Sequence, residues 1–533
     1  MSGRFTRRGV TSTATTLGAS VIAVLALTGP SASVAPASAS RAAPAADTLA
    51  SQIDALLTDP RYDGSQVGVV VRDADTGATL YDHNGDERLI PASNTKLFTS
   101  TAALDLLGSD YRFRTTVSTS GGQRGSTVKG DLYLTGGGDP TTLASDYGDL
   151  AAQLRDRGVR TVRGNLVADD SFFDHQRLGA FWSWDDEPFY YSAQISGLTV
   201  APNTDYDSGT VIVETRAGSK VGRPAQLTLV PKTHYVHVVN DAVTGAAGSD
   251  NTISVEREHG NNIIHVTGSF PIDETVEQDW STVWEPTGYA ADVFKRALRD
   301  HGIDLRGRVR TGVTPDATTT LATHESMTLG DMLIPWLKLS NNMHAEHIVK
   351  TIGAEVEGDG SWDAGLDAIE SDLPSLGVDT DVMRMVDGSG LARADFIPPD
   401  QITNLLVAAR SKPWFDQWYN ALPIAGNPDR FVGGTLRSRM VGTPAANNLH
   451  GKTGSLTGVT ALSGYVTDAD GDPLVFSIVS NNYLSSPRSV EDALGVLLAS
   501  YSADTGAVAP NVRALRPTHR LPADIECSWA KAC

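Results

Sequence analysis

The sequence predicts a protein of the α/β (α+β) class, with a small antiparallel sheet flanked by helices and interrupted by a large β-rich insertion. Apolar residues have helical spacing at both ends of the chain, and hairpin patterns lie beside them. In the middle, roughly residues 113–315, Thr, Val, Gly and Asp alternate with period two, as in "TVIVETRAG" and "NIIHVTGSF". We therefore predict one discontinuous domain, 46–112 and 316–520, interrupted by one or two β-rich domains at 113–315.

The outer elements follow from their own patterns, in chain order. The spacing predicts a helix from Leu49 to Leu57, and "QVGVVVRD" and "TLYDH", joined by the turn "ADTGA", predict a hairpin. A helix is predicted to begin within "LIPASNTKLFTSTAAL". Helical patterns return in "LGDMLIPWLKLSNNMHAEHIVKTIGAE" and "DQITNLLVAARS", and a second hairpin and the helix "SVEDALGVLLASYS" follow.

The first 39 residues have the composition of a secretory signal peptide. Three arginines precede the apolar run "LGASVIAVLAL", and small residues end at "ASA", Ala37 to Ala39. We expect export and cleavage, with the Sec route favoured over Tat and an uncleaved anchor as the alternative. No other stretch is long and apolar enough to span a bilayer, so we expect no transmembrane anchor after cleavage.

The net charge argues against some classes of binding partner, and the positions of the cysteines predict a disulfide. The formal net charge of −20 is spread along the chain, which makes nucleic acid and anionic membranes poor partners. The two cysteines, Cys527 and Cys533, lie close together in the C-terminal tail, 521–533. In an exported protein such a pair predicts one small disulfide that closes the tail.

Ser93 lies three residues before Lys96 at the predicted start of a helix. A helix cap is the simpler explanation for the serine, and the same spacing recurs at Ser126 to Lys129 and Ser528 to Lys531. A serine hydrolase with a lysine base, however, also needs a second hydroxyl, an amide and a cation. The spacing alone therefore decides nothing.

Two further motifs supply those groups in a fixed chain order. Lys-Thr-Gly occurs once, at Lys452 to Gly454, where "KTGSLTGVTALSGYV" predicts an edge strand. Ser-x-Asn occurs at Ser249, Ser340 and Ser480. We choose Ser340 and Asn342 because they precede Lys452 and lie between two predicted helices.

With these motifs, and with "DGSGLAR" at Asp387 to Arg393, the sequence resembles the penicillin-recognising serine enzymes. Within them it is similar to the low-molecular-mass class C D-alanyl-D-alanine carboxypeptidases of peptidase family S13. The resemblance covers essentially the mature chain, and Ala392 is a small departure. It implies a β-lactamase/transpeptidase-like catalytic domain, and two inserted domains in the long interval between Ser93 and Ser340.

The resemblance implies a role for each matching residue. Ser93 would be the nucleophile and Lys96, kept neutral by burial and by Lys452, its general base. Ser340 would pass a proton to the leaving nitrogen, and Asn342 would hold the substrate amide. The substrate-binding residues would be Lys452, Thr453, Gly454, Ser455, Ser389 and Leu391, with the backbone N–H groups of Ser93 and Ser455 as the oxyanion hole.

The inserted segment "FWSWDDEPFYYSAQISGLT", residues 181–199, crowds acids and aromatic rings. A buried aromatic cluster is one interpretation. The other is a wall of the cleft in which Asp186 and Tyr191, or alternatively Asp185 and Tyr190, grip the side-chain amine of a stem peptide.

The implied function is an exported serine D-Ala-D-Ala carboxypeptidase or endopeptidase, secreted or associated with the cell wall, acting on peptidoglycan stem peptides. β-Lactams would acylate Ser93. The alternatives are a β-lactamase or related serine esterase, and an inactive wall-binding protein. We expect no cofactor or metal, and we expect His344 and His347 to be polar surface residues rather than metal ligands.

Overall fold

The computed structural model describes residues 48–503, Gly506 and Lys531. The predicted signal peptide and both cysteines, with the disulfide predicted between them, lie outside the described residues.

Eleven α-helices occur in the described part of the chain, several of them capped by the hydroxyl groups that the sequence supplies. Thr48, Thr328 and Ser361 each accept a backbone N–H in the first turn of the helix that follows. No helix of the described residues has both the length and the apolar character needed to cross a bilayer. The helices are α1 Leu49–Leu57, α2 Thr95–Leu106, α3 Ala144–Asp156, α4 Pro286–Asp300, α5 Leu329–Lys338, α6 Asn342–Ile352, α7 Trp362–Asp372, α8 Pro399–Ala409, α9 Phe415–Ala421, α10 Arg430–Gly433 and α11 Arg488–Ser500.

The strands form six sheets of two to five strands among the described residues. They are β1 Gln66–Asp73, β2 Thr79–His83, β3 Arg114–Thr119, β4 Gln123–Arg124, β5 Thr127–Val128, β6 Leu132–Thr135, β7 Thr161–Val162, β8 Leu166–Asp169, β9 Thr210–Arg216, β10 Gln226–Val230, β11 His237–Asn240, β12 Val243–Gly245, β13 Ser254–Arg257, β14 Ile263–Thr267, β15 Ser269–Pro271, β16 Glu277–Thr282, β17 Asp304–Leu305, β18 Val309–Thr311, β19 Thr319–Glu325, β20 His450–Leu456, β21 Val459–Thr467 and β22 Pro473–Asn481.

The first sheet joins the two ends of the described chain. Its order is β2-β1-β22-β21-β20 and all its pairs are antiparallel, with Gln66 opposite Asn481. Strand β20, which carries Lys452, lies at the edge, as the sequence predicts. The sheet therefore places the Lys-Thr-Gly motif on an edge strand, where Ile424 bridges only the first residue, His450, among the described residues, and where an extended ligand can approach the backbone.

Both faces of this sheet are covered, and the side chains of β22 show how. Phe476 and Ile478 pack into a core with α1 and α11. Val475 and Val479 point to the other face, into the core built by α2, α5, α6 and α8. This period of two within one strand places a helical layer on each side of the sheet.

The inserted region, residues 114–325, contains the remaining five sheets. Its larger sheets have the orders β18-β8-β6-β3-β19 and β17-β7-β5-β4. It also contains α3 and α4, which the sequence analysis did not predict. Tyr147 and Leu150 of α3 pack with Phe294 and Leu298 of α4 in the core of this region.

Strand β19 lies beyond the predicted border at 315. It pairs in antiparallel register with β3, with Glu325 opposite Arg114. Hydrogen bonding thus attaches residues 319–325 to the inserted region, although the sequence analysis placed them in the second outer segment. We call the described residues before 114 and after 325 the outer region; its assignment as a separate catalytic domain stays a prediction.

Candidate active site

Ser93 lies in a 3-10 turn, Ala92–Asn94, directly before α2. Ala92 has φ of 47°, a left-handed conformation that is costly for a residue other than glycine. The loop that contains Gly390 presses on this turn, because a Cβ atom at Gly390 would lie 1.9 Å from the Ala92 carbonyl oxygen. Packing therefore holds Ser93 in a strained turn, as is common at functional sites.

The side chain of Lys96, one turn after Ser93, is fully buried and makes three short polar contacts. Its Nζ lies 2.9 Å from Ser93 Oγ, 2.7 Å from Asn342 Oδ1 and 2.7 Å from the Ser389 carbonyl oxygen. One side-chain nitrogen thus joins the first motif, the second motif and the 387–393 loop. The structure brings together residues that the sequence separates widely.

Ser340 lies in the turn between α5 and α6, with φ of 56°. Lys452 Nζ is 2.8 Å from Ser340 Oγ and 2.8 Å from the Thr453 carbonyl oxygen. Asn342 begins α6, and its Nδ2 donates to the Tyr191 carbonyl oxygen at 2.8 Å. The second and third motifs are therefore in direct contact through a lysine and a serine.

Strand β20 presents the third motif to the Ser93 turn. A Cβ atom at Gly454 would lie 2.7 Å from the Pro91 carbonyl oxygen, so the close approach requires glycine. The sequence analysis missed three side chains that support this strand. Asn94 Nδ2 donates to the Lys452 carbonyl oxygen at 3.2 Å, the Thr453 hydroxyl contacts Thr435 Oγ1 at 2.7 Å, and Arg488 Nη2 donates to Ser455 Oγ at 2.9 Å.

A buried carboxylate holds the 387–393 loop, and the sequence analysis did not predict this role either. Glu346 of α6 accepts the backbone N–H of Gly388 at 3.1 Å and of Ser389 at 2.8 Å, and the Trp362 indole N–H at 2.8 Å. Burial, reinforced by the negative charge of Asp387, raises the pKa of Glu346 to about 7. Glu346 thereby positions the Ser389 carbonyl oxygen that contacts Lys96.

The inserted region reaches the same place through Tyr191, whose carbonyl oxygen contacts Asn342. The Tyr191 hydroxyl donates to Asp186 Oδ1 at 3.0 Å, and burial raises the pKa of the half-buried Asp186. Of the two alternates, Asp185 is exposed, whereas Tyr190 is buried beside Leu391 in a small apolar cluster. Asp186, Tyr191 and Leu391 thus lie around the motif residues.

Known proteins are similar to this chain over most of its length. Residues 49–501 match the family described as "D-Ala-D-Ala carboxypeptidase 3 (S13) family". The chain belongs to this family. It is 46% identical over 493 residues to "D-alanyl-D-alanine carboxypeptidase" of Actinomadura sp. (strain R39), covering 91% of this chain and 90% of the relative. It is 27% identical over 430 residues to "D-alanyl-D-alanine carboxypeptidase DacB" of Haemophilus influenzae, covering 80% and 88%.

A solved structure has the same fold. The crystal structure of penicillin binding protein 4 (dacB) from Haemophilus influenzae matches with a TM-score of 0.70 and 25% identity, covering 81% of this chain and 94% of that one. The resemblance drawn from the three motifs is therefore confirmed. The predicted fold class, a β-lactamase/transpeptidase-like domain with a large insertion, is confirmed as well.

The two histidines of α6 correct one prediction about this S13 chain. His344 and His347 are fully buried, and burial lowers their pKa values to about 3 and about 4. Their interpretation as polar surface is wrong, because α6 is covered on all sides. Among the described residues, no group of His, Cys, Asp and Glu could hold a metal ion.

Proposed function

We propose that this S13 protein is an exported serine D-Ala-D-Ala carboxypeptidase, with endopeptidase activity on cross-links, that acts on peptidoglycan stem peptides through an acyl-enzyme on Ser93. The contact between Ser93 Oγ and the buried Lys96 Nζ, at 2.9 Å, carries the proposal. A buried amine within hydrogen-bond distance of a hydroxyl is the arrangement that activates a serine nucleophile. The names of the relatives support the substrate class.

Lys96 would take the proton of Ser93 as the hydroxyl oxygen attacks the carbonyl carbon between the two D-alanines. Two of the partners of Lys96, Asn342 Oδ1 and the Ser389 carbonyl, are oxygens that only accept hydrogen bonds. A neutral Lys96 that donates to both of them keeps its lone pair for Ser93. The neighbours of Lys96 thus support its role as the general base.

Ser340 and Lys452 would serve the leaving D-alanine. Ser340 Oγ can hand a proton to the leaving nitrogen, and Lys452, 2.8 Å from that oxygen, can replenish it. Lys452 and Thr453 would bind the terminal carboxylate, while the N–H groups of Ser93 and Ser455 stabilise the oxyanion, a role worth about 3 kcal/mol per donor in comparable sites. Water would then attack the acyl carbon and lose a proton through Ser340 to Lys452. Lys96 would return its proton to Ser93 Oγ as the ester bond breaks, and the peptide would leave with a new carboxyl group.

β-Lactams would enter the same reaction as covalent inhibitors, because their amide and carboxylate imitate the substrate terminus. A β-lactamase or related esterase is the alternative function on this fold. It is not favoured, since the S13 relatives are named carboxypeptidases. We expect slow release of the penicilloyl group.

The inserted region would set the choice of stem peptide. Asp186 and Tyr191 form a half-buried, hydrogen-bonded pair, and the Tyr191 carbonyl oxygen contacts Asn342. This position suits binding of a side-chain amine by the Asp186 carboxylate. Diaminopimelic acid, found before D-Ala-D-Ala in many stem peptides, carries such an amine. Secretion through the predicted signal peptide, association with the cell wall and the Cys527–Cys533 disulfide belong to the same proposal.

The mature protein should be incubated with labelled penicillin and, separately, with a D-Ala-D-Ala peptide. We expect a long-lived adduct on Ser93 by peptide mass spectrometry, and release of D-alanine from the peptide. Ser93→Ala should abolish both, whereas Ser126→Ala, at the same spacing from a lysine, should retain both. An adduct on another serine would refute the assignment, and rapid penicillin turnover would favour the β-lactamase alternative.

A further inference from the structure

Lys531 lies in a cage of acidic and aromatic side chains that the function above does not use. Its Nζ forms an ion pair with Asp207 and lies 3.6 Å from Asp205 Oδ2. The same nitrogen is 4.1 Å from the centre of the Tyr190 ring and 4.6 Å from the centre of the Trp280 ring. Four groups from the inserted region thus surround one ammonium.

The charges of the cage require a second cation. Asp205 and Asp207 are both buried, and Arg430 forms a two-pronged ion pair with Asp205 at 2.5 and 3.0 Å. Lys531 contacts Asp207 Oδ2, and the other carboxylate oxygen, Oδ1, accepts a hydrogen bond from the neutral Asn341 Nδ2 at 3.3 Å. Burial raises the pKa of Asp207, while the charge of Lys531 opposes that rise. Without Lys531, two buried carboxylates would share one arginine, which is costly.

The aromatic rings determine which type of cation fits the cage. Faces of Tyr and Trp attract a cation within about 6 Å of the ring centre, and the attraction grows when water is excluded. A compact ammonium on a flexible alkyl stem fits between two rings and a carboxylate, whereas a methyl group of the same size gains none of this attraction. The cage therefore suits a primary amine.

The cage adjoins the active site. Asn341, which contacts Asp207, precedes Asn342, and Tyr190 precedes Tyr191, whose carbonyl oxygen Asn342 contacts. Asn342, Tyr191, Asp207 and Lys531 all line one small cavity. A group that enters or leaves the cage therefore changes the wall beside the partner of Lys96.

We propose that Asp205, Asp207, Tyr190 and Trp280 form a subsite for a primary ammonium group at the edge of the active site. Lys531 of the same chain occupies it, in competition with an ammonium group of a peptidoglycan peptide. The competition with substrate rests on the function proposed above, whereas the subsite and its occupation by Lys531 do not.

Occupation is tested on the wild-type protein by reductive methylation of lysines, followed by mass spectrometry. Lys531 should react about tenfold more slowly than the exposed Lys129 and Lys220, because a charge-assisted contact of this kind shifts the equilibrium by about that factor. In the isosteric variant Asp207→Asn that protection should fall. Equal rates for the three lysines in the wild type would overturn the proposal without any variant.

Ligand choice is tested by calorimetry with Nα-acetyl-lysine amide as the probe. Lys531→Met should show a binding event that is absent from the wild type and from the double variant Lys531→Met/Asp207→Asn. The norleucine analogue, which lacks the amine, should bind none of them at that site. Equal binding of both probes, or no new event in a Lys531→Met protein that still melts cooperatively, would refute an ammonium subsite.

The source of the competing amine is tested with two peptides ending in D-Ala-D-Ala, one with a free N-terminal amine and one with that amine acetylated, neither of them carrying the side-chain amine assigned above to Asp186 and Tyr191. Lys531→Met should raise kcat/KM for the free amine about tenfold relative to the acetylated peptide. An unchanged ratio would refute competition by substrate and restrict the subsite to the chain's own lysine. Loss of D-alanine release in every variant, with the calorimetric result intact, would count against the carboxypeptidase activity alone.

Discussion

The outer region and the inserted region differ in the burial of their lysine side chains. In the outer region Lys96, Lys338, Lys350 and Lys452 are buried. In the inserted region Lys129, Lys220, Lys232 and Lys295 are all exposed. Burying an ammonium costs free energy unless oxygen atoms replace its water, so the outer region accepts a cost that the inserted region avoids.

The difference shows where chemistry constrains the fold. Lys96 and Lys452 are buried next to hydroxyl groups, Ser93 and Ser340, at 2.9 and 2.8 Å. The inserted region instead contributes carboxylates and aromatic rings, such as Asp186 and Tyr191, to the rim of the site. We infer that the outer region supplies the reaction and the inserted region supplies the selection of substrate.

The largest effect that tests this difference between the regions is expected when one buried and one exposed lysine are replaced in turn. Lys96→Met should lower the rate of penicillin acylation by about two to four orders of magnitude, the range for loss of a general base. Lys129→Met should leave the rate unchanged. Stopped-flow acylation with a fluorescent penicillin measures both. Comparable rates in both variants would remove Lys96 from the mechanism.

The second expected effect separates the two buried lysines. Lys452→Ala should weaken transition-state binding of a D-Ala-D-Ala peptide by about 3 kcal/mol, since a contact between ammonium and carboxylate is lost. The C-terminally amidated peptide lacks that carboxylate and should lose much less. The measurement is kcat/KM for both peptides in both proteins. Equal losses for the two peptides would show that Lys452 does not bind the terminal carboxylate.

A smaller effect is expected from the inserted region. Asp186→Asn should cost about 1 to 3 kcal/mol on a peptide with a free side-chain amine, the range for a charge-assisted hydrogen bond. A short D-Ala-D-Ala substrate without that amine should react at the wild-type rate. If both substrates slow equally, the segment is a scaffold and the proposed division of labour fails.

The same contrast decides what the sequence could predict. The sequence predicts Ser93, Lys96, Ser340, Asn342 and Lys452 as site residues because such chemistry restricts residue type, spacing and chain order. No such restriction applies to the inserted region. Its Thr- and Val-rich composition led to a prediction of strands alone, although α3 and α4 lie there. The spacing of Ala290, Phe294 and Leu298 in α4 was available as a helical pattern and was overlooked.

Other parts of the site had no pattern to find. Lys96 contacts a backbone oxygen of Ser389, and the positive φ of Ala92 depends on packing from Gly390. Burial of His344 depends on elements distant in sequence, which is why local spacing misplaced it at the surface. Such features arise from tertiary contacts, and a single sequence does not encode them locally.

The last expected effect concerns the carboxylate that holds the 387–393 loop in the outer region. Glu346 has a pKa of about 7 in the folded protein, against an ordinary value of 4.5. Between these pH values the folded state keeps a proton that the unfolded state has released. The contribution of Glu346 to the free energy of unfolding therefore falls as pH rises from about 4.5 to about 7.

Glu346→Gln isolates this contribution because glutamine does not titrate. Its amide nitrogen would face one of the N–H groups that Glu346 accepts, a loss that does not depend on pH. The stability of the wild type minus that of the variant should thus decline by about 2 kcal/mol between pH 5 and pH 7.5. His344 and His347 act in the opposite direction, since their pKa values of about 3 and about 4 favour unfolding as pH falls below 6.5, but they are common to both proteins. Thermal melts at matched ionic strength give the difference at each pH. A difference that stays constant over this window would show that Glu346 is ionised throughout, and that the loop beside Lys96 is held by a permanent buried charge.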